Sequence, residues 1–237
     1  MKKLTILLCC CLFPLLNQAQ NLIGAWESYT ASEGGVKIKS VVVFSEVYQV
    51  MTSYEAKTGK FIMTNGGTWK LEGNTVTEKI EFDTKTPDRV GSKVSFEVFI
   101  SDNAMGIVGS NIKWTRIDDG SPGSLQGAWL MSGRKRDGKI QTRDINRSRK
   151  TMKILSGSRF QWTAYNTETK EFMGTGGGSY TTIDGKYTEN LEFFSRDDTR
   201  VGASLEFEYE LVEGHWHHSG FSSKGAPMYE IWSRRDM

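Results

Sequence analysis

From residue 20 onward, apolar and polar residues alternate over short runs rich in β-branched and aromatic types, separated by clusters of Gly, Asn, Asp and Ser. Period-2 alternation bounded by turn residues predicts strands with one buried and one solvated face. In the first half the pattern places eight strands, at 22–29, 37–45, 47–55, 60–71, 74–83, 92–100, 104–109 and 111–117, and no segment carries a helical period. Eight short antiparallel strands leave two exposed edges unless the sheet closes, so the expected unit is an up-and-down barrel.

The pattern then repeats. Leu22-Ile23-Gly24-Ala25-Trp26 returns as Leu125-Gln126-Gly127-Ala128-Trp129, and Trp114-Thr115-Arg116 as Trp232-Ser233-Arg234. Between these ends the halves align without gaps at an offset of 111, which matches Tyr54 with Tyr165, Phe61 with Phe172, Gly67 with Gly178 and Arg89-Val90-Gly91 with Arg200-Val201-Gly202. A period of that length is the size of a domain. The expected layout is all-β, with two tandem antiparallel barrels at 20–118 and 125–237 joined by a short linker at 119–124.

Gly-x-Trp on a first strand and Arg on a last strand resembles the signature of lipocalin-like (calycin) barrels. Gly24, Trp26 and Arg116 match it in the first half, and Gly127, Trp129 and Arg234 in the second. The resemblance implies that each Trp plugs the closed end of a barrel, that the Gly gives it room, and that the Arg lies across it as a cation on an indole face. The tandem layout and leader also resemble secreted lipocalin-like proteins of Gram-negative bacteria. A single sixteen-stranded outer-membrane barrel is the rival architecture, but Lys37, Lys39, Lys79, Lys153, Glu192 and Glu208 interrupt the lipid-facing band that it requires.

Lys2 and Lys3 precede an apolar run from Ile6 to Leu16, and Ala19 offers a small residue for cleavage, so residues 1–19 read as a secretory signal peptide. The expected location is periplasmic or extracellular. Cys9, Cys10 and Cys11 all fall inside the run and Leu7 and Leu8 precede them, which argues against a lipid anchor and leaves the mature chain without disulfides. Two of the 30 Lys and Arg leave with the leader, so 28 basic residues face 28 acidic ones. That neutrality argues against nucleic acid as a partner, and no second apolar stretch is long enough for a membrane helix. The mature chain is expected to be a monomer without a cofactor.

Candidate chemistry is concentrated in the second half. Glu78 and Glu189 each fall on the apolar face of an alternating strand, so both are expected inside a barrel, where an unpaired carboxylate is costly. Arg89 and Arg200, just past the same strand in each repeat, are their expected partners. The three histidines, His215, His217 and His218, surround Trp216 where the first repeat has Ala104, Met105, Gly106 and Ile107. His215 and His217 share a strand face at a spacing that suits two ligands of one metal ion, although the sequence names no third. A His from this strand with Glu189 would be the acid and base of an enzyme, were the protein one.

Residues 133–150 carry Arg134, Lys135, Arg136, Lys139, Arg143, Arg147, Arg149 and Lys150 against only Asp137 and Asp144. This loop between the first two strands is longer than its first-repeat counterpart, and a basic lid over a barrel mouth suits an anionic ligand. Gly174, Gly176, Gly177 and Gly178 lack the following helix of a phosphate loop and are expected to permit a bend or close packing on the plug Trp. There is no Gly-x-Ser-x-Gly elbow, no His-Glu-x-x-His and no nucleotide fingerprint. The expected function is non-catalytic binding of a small apolar or amphipathic ligand, with Phe160, Trp162, Tyr165, Tyr187, Glu189 and Phe207 lining the second cavity and Arg200 meeting a carboxylate. The alternatives are the enzyme above and a protein-interaction module with filled barrels.

Overall fold

The computed structural model describes residues 22–121, 123–222 and 224–235. The expected signal peptide and its cysteines lie outside these residues. β1 (Gly24–Ala31), β2 (Lys37–Phe44), β3 (Tyr48–Glu55), β4 (Phe61–Glu72), β5 (Thr75–Asp83), β6 (Lys93–Ile100), β7 (Ala104–Ile107) and β8 (Lys113–Asp118) form one closed antiparallel barrel in sequence order. The second contains β9 (Gly127–Arg136), β11 (Arg149–Leu155), β12 (Arg159–Asn166), β13 (Phe172–Ile183), β14 (Lys186–Phe194), β15 (Ser204–Val212), β16 (His215–Phe221) and β17 (Pro227–Arg234), and β17 closes on β9. The extra length between its first two strands makes β10 (Lys139–Thr142), a hairpin partner of the end of β9. No described helix is long and apolar enough to cross a membrane.

The plug matches the resemblance in both barrels. The Arg116 guanidinium carbon lies 3.9 Å from the Trp26 ring and that of Arg234 4.5 Å from the Trp129 ring. Each indole N–H donates to a carbonyl one turn back, Trp26 to Leu22 at 3.0 Å and Trp129 to Leu125 at 2.8 Å. The glycine has a different task from the expected one. Gly24 and Gly127 adopt φ +117° and +119°, and a Cβ there would strike the Asp118 carbonyl and the Arg234 guanidinium respectively, so the room made is for the closing strand and its arginine.

The inside of the first barrel is packed by Trp26, Trp69, Trp114, Phe44, Val76 and Met105, all buried. Glu78 sits among such residues while Arg89 turns to Asp83 at 3.1 Å, so the expected Glu78–Arg89 pair is replaced by Arg89–Asp83. Burial pushes the Glu78 carboxyl up to about 7, with only partial relief from the charge of Arg89. A carboxyl raised above its unfolded value favours the folded state while protonated, so this stability is present below about pH 4.5 and is lost as pH rises to about 7. Glu78→Gln is therefore expected to be more stable than the parent by roughly 2 kcal/mol at pH 8 and equal to it near pH 4.5, as checked by denaturant unfolding at both pH values.

The barrels pack side by side through a pseudo-two-fold interface that the sequence reading did not anticipate. Val41 and Val43 of β2, Val50 of β3, and Met152 and Ile154 of β11 turn outward into one buried cluster with Tyr54, Tyr165, Phe82 and Phe193. Several contacts have counterparts at the offset of 111. The Tyr54 hydroxyl donates to Glu192 at 2.7 Å and the Tyr165 hydroxyl to Glu81 at 2.5 Å; Phe61 and Phe172 stack on each other near the axis, 5.9 Å apart. Gln161 lies among Thr52, Thr64, Thr163 and Thr175 and bonds across the axis to Thr52 and Thr64. Reciprocal contacts of this kind define an isologous interface, here made within one chain.

A repeated β-bulge creates it. The register shifts between Gly66 and Gly67 on β4, and between Gly177 and Gly178 on β13, so that Glu81 and Glu192 are the extra residues on the opposing strands. Beyond the bulge Phe82 and Phe193 face out rather than in, each lying over a glycine whose Cβ would come within 2.7 Å of the ring. The glycines thus pack under these outer phenylalanines and not on the plug Trp. The end of β8 is also tied down: Asp118 accepts hydrogen bonds from Ser156, Gly157 and Ser158 in the β11–β12 turn.

Candidate functional site

Alternation along the strands of the second barrel brings a polar and aromatic set to its inner end. Lys153 on β11 points in and is 3 % exposed, with its Nζ 4.9 Å from the Trp216 ring, 5.0 Å from Trp232 and 5.2 Å from Tyr187. It donates to Glu189 Oε1 at 2.7 Å, and the Tyr187 hydroxyl donates to the same oxygen at 2.9 Å. The cation is held by a carboxylate and by the negative faces of three rings, which offset the cost of taking it out of water.

His218 and Glu230 stand beside this pair. His218 is 1 % exposed, and its Nδ1 lies 3.6 Å from Glu230 Oε2, an electrostatic contact too long for a hydrogen bond. Neither ring nitrogen of His218 has a hydrogen-bond partner among the described residues. Burial, reinforced by Lys153, holds the imidazole below its ordinary pKa and so neutral near pH 7, against the opposing pull of Glu230 and Glu189. Glu230, which burial alone would push up, is kept below the usual carboxylate range by His218, Lys153 and the Trp232 indole that donates to it at 3.2 Å.

Above this floor the barrel keeps a cavity of about 310 Å³, walled by Trp162, Leu191, Phe194, Leu205, Phe207 and Met228 and reaching Lys153, Glu189, His218 and Glu230. Arg143, Arg149 and Arg196 stand at its mouth. A second space of about 210 Å³ adjoins it, shares Met131, Arg143, Arg149 and Thr151, and adds Arg134, Arg147 and Lys150 against Asp144. Among the described residues none of Arg143, Arg147 and Arg149 is ion-paired to a carboxylate. Burial and the neighbouring Arg134 and Arg149 hold Arg143 below its ordinary pKa against the opposing pull of Glu230.

The expected residues divide accordingly. Glu189, Trp162 and Phe207 line the cavity, and Phe160 and Tyr187 pack in the aromatic floor beneath it. Tyr165 instead faces the other barrel, fully buried against Glu81 and Arg235. Arg200 pairs with Asp197 at 3.1 Å on a short turn and is not among the residues lining the cavity. His215 and His217 point away from the barrel interior: Nδ1 of His215 lies 2.9 Å from the Ser233 hydroxyl and that of His217 2.8 Å from the Tyr229 hydroxyl. Among the described residues no cluster of three His, Cys, Asp or Glu is placed to hold a metal ion. The strand carries His218 inward with Trp216, and its neighbour is Glu230, not Glu189.

Lys153, Glu230 and Arg196 are the residues that the sequence reading missed. For Lys153 the signal was a charge at the second position of the pattern Met152-Lys153-Ile154-Leu155, on the face opposite Met152 and Ile154. The basic segment does border the mouth, through Arg143 and Arg149. Residues 124–237, the whole second barrel with the turn before it, match a family model described as a domain of unknown function (DUF4488). No curated protein matches the chain.

Proposed function

We propose that the second barrel is a binding site for a small amphipathic anion, whose apolar body fills the cavity and whose charged end rests on Arg143, Arg149 and Arg196. The observation that carries this reading is a space of about 310 Å³, walled largely by apolar side chains, with arginines at its mouth that have no carboxylate partner among the described residues. Water occupies roughly 30 Å³ per molecule, so the space suits a body of about ten to fifteen non-hydrogen atoms and is short for a long-chain fatty acid. The first barrel has Val42, Ile107 and Ile112 where the second has Lys153, His218 and Glu230 at its polar inner end, which supports assigning binding to the second alone. A retained cavity favours binding over a filled-barrel interaction module. Secretion by a cleaved leader, the two-domain boundaries and a monomeric state are parts of the same proposal.

The test is fluorescence titration with naphthalene-1-sulfonate, an apolar body within that size carrying one anion. Saturable binding is expected, weakened about tenfold or more in Arg143→Gln/Arg149→Gln because each charged hydrogen bond is worth roughly 1.5–3 kcal/mol. Equal binding by parent and variant, or equal binding of uncharged naphthalene, would remove the anion from the proposal. No saturable binding at all would remove the site.

A further inference from the structure

We infer that His218 is a recognition group for a hydrogen-bond donor, a hydroxyl or N–H, carried by the ligand at the end remote from its anion. This inference rests on the binding site proposed above and narrows its ligand class.

Four observations converge on it. A buried polar atom without a partner is a cost that native interiors rarely carry, and His218 carries two while lining the cavity. Nothing in the fold requires them, since the first barrel has Ile107 at the same place and closes in the same way. The side chain is also held rigidly: its ring centroid lies 4.1 Å from that of Phe207, 5.4 Å from Trp216 and 5.7 Å from Tyr187, so it is not free to turn to solvent. Finally, Glu230 selects the tautomer. With its carboxylate 3.6 Å from Nδ1, the proton of a neutral imidazole is favoured on Nδ1, which leaves Nε2 as a lone-pair acceptor.

An acceptor in an apolar enclosure discriminates strongly, because a ligand lacking the donor leaves it unpaired while a ligand supplying the donor relieves a cost already present. The carboxylates of the inner end are already engaged, Glu189 by Lys153 and Tyr187 and Glu230 by Trp232, and the unpaired Trp216 indole N–H is a donor, so His218 is left as the acceptor there. The ligand class is therefore a compact anion with an apolar middle and a donor at its far end, of which a hydroxylated arylalkanoate is the simplest example.

Displacement of the bound sulfonate probe by three compounds tests this on the full mature chain. The compounds are 3-(4-hydroxyphenyl)propanoate, 3-phenylpropanoate and 3-(4-methoxyphenyl)propanoate, which share charge and body but differ in the donor. The hydroxyl compound is expected to displace the probe at a concentration about tenfold or more below that of the other two. His218→Leu is expected to abolish that preference while still binding the probe, and His218→Gln, which retains an acceptor, to keep part of it. Equal displacement by all three compounds, or no displacement by any, overturns the inference while the binding site stands. A preference that survives in His218→Leu also overturns it. Failure of the probe itself to bind the parent is the separate result that removes the site.

Discussion

Lys153→Met is expected to destabilise the protein by about 3–5 kcal/mol, the cost of leaving one member of a buried ion pair behind. Glu189, 5 % exposed, would keep only the Tyr187 hydroxyl. The first barrel already displays the outcome. It has Val42 at the lysine position and its carboxylate, Glu78, is pushed up to about 7 by burial. The variant should acquire a second carboxyl of that kind, so its deficit should be small near pH 4.5 and grow as pH rises, the direction set by a folded-state pKa above the unfolded one. Lys153→Met/Glu189→Gln is expected to recover most of the loss, because removing both charges removes the desolvation cost with the attraction. Denaturant unfolding of the three proteins at pH 5 and pH 8 checks it; a single variant as stable as the parent at pH 8 would mean that the pair does not hold the floor together.

Glu192→Ala is the second large effect, expected at about 3–5 kcal/mol and felt at the contact between the barrels. One carboxylate there accepts from Arg159 Nη2 at 2.7 Å, from Tyr54 at 2.7 Å and from Lys39 at 3.2 Å. Although burial raises its pKa, these partners, Arg159 first, bring it down to about 2. Without Glu192 the buried Arg159 guanidinium, its Nε without a partner among the described residues, loses the carboxylate that pairs with it and keeps the repulsion of Lys39. A depressed carboxyl contributes stability above about pH 4.5 that is lost as pH falls toward 2, so the parent should lose this contribution in acid and the variant should have little left to lose. The expected signature is a thermal transition that splits in two, one for each barrel, since the contact that couples them has been weakened. A single transition shifted only slightly would show that the apolar cluster alone couples the barrels.

What the sequence made legible, and what it hid, follows from one rule and its interruption. Strands, their order, the plug residues and the inward direction of Glu189 all follow from unbroken period-2 alternation, which the local residues determine. The rule breaks at Glu81 and Glu192, where one extra residue puts Glu and the following Phe on the same outer face. Phe193 therefore leaves the face that unbroken alternation with Glu189 and Leu191 would give it. The interface had a readable sign in Val41-Val42-Val43-Phe44, a strand apolar on both faces and hence buried on both. Tyr165 was assigned to the cavity because aromatic character says nothing of which face is covered by a second domain. Arg200 was matched to Glu189 by repeat position alone, yet Asp197, three residues away, takes it. His215 and His217 share a face as expected, but that face is the outer one.

The first barrel can thus be viewed as a brace. Its outer surface backs β11 and β12, the two strands that present Arg149, Thr151, Lys153, Trp162 and Ala164 to the cavity, so that wall is clamped between two bodies. On the opposite wall, β15 turns Glu206, Glu208 and Glu210 to solvent. Any yielding of the second barrel to admit a guest is confined to that unsupported side, next to His218 and Glu230, while the arginine at position 149 and the buried lysine stay where the inert copy holds them.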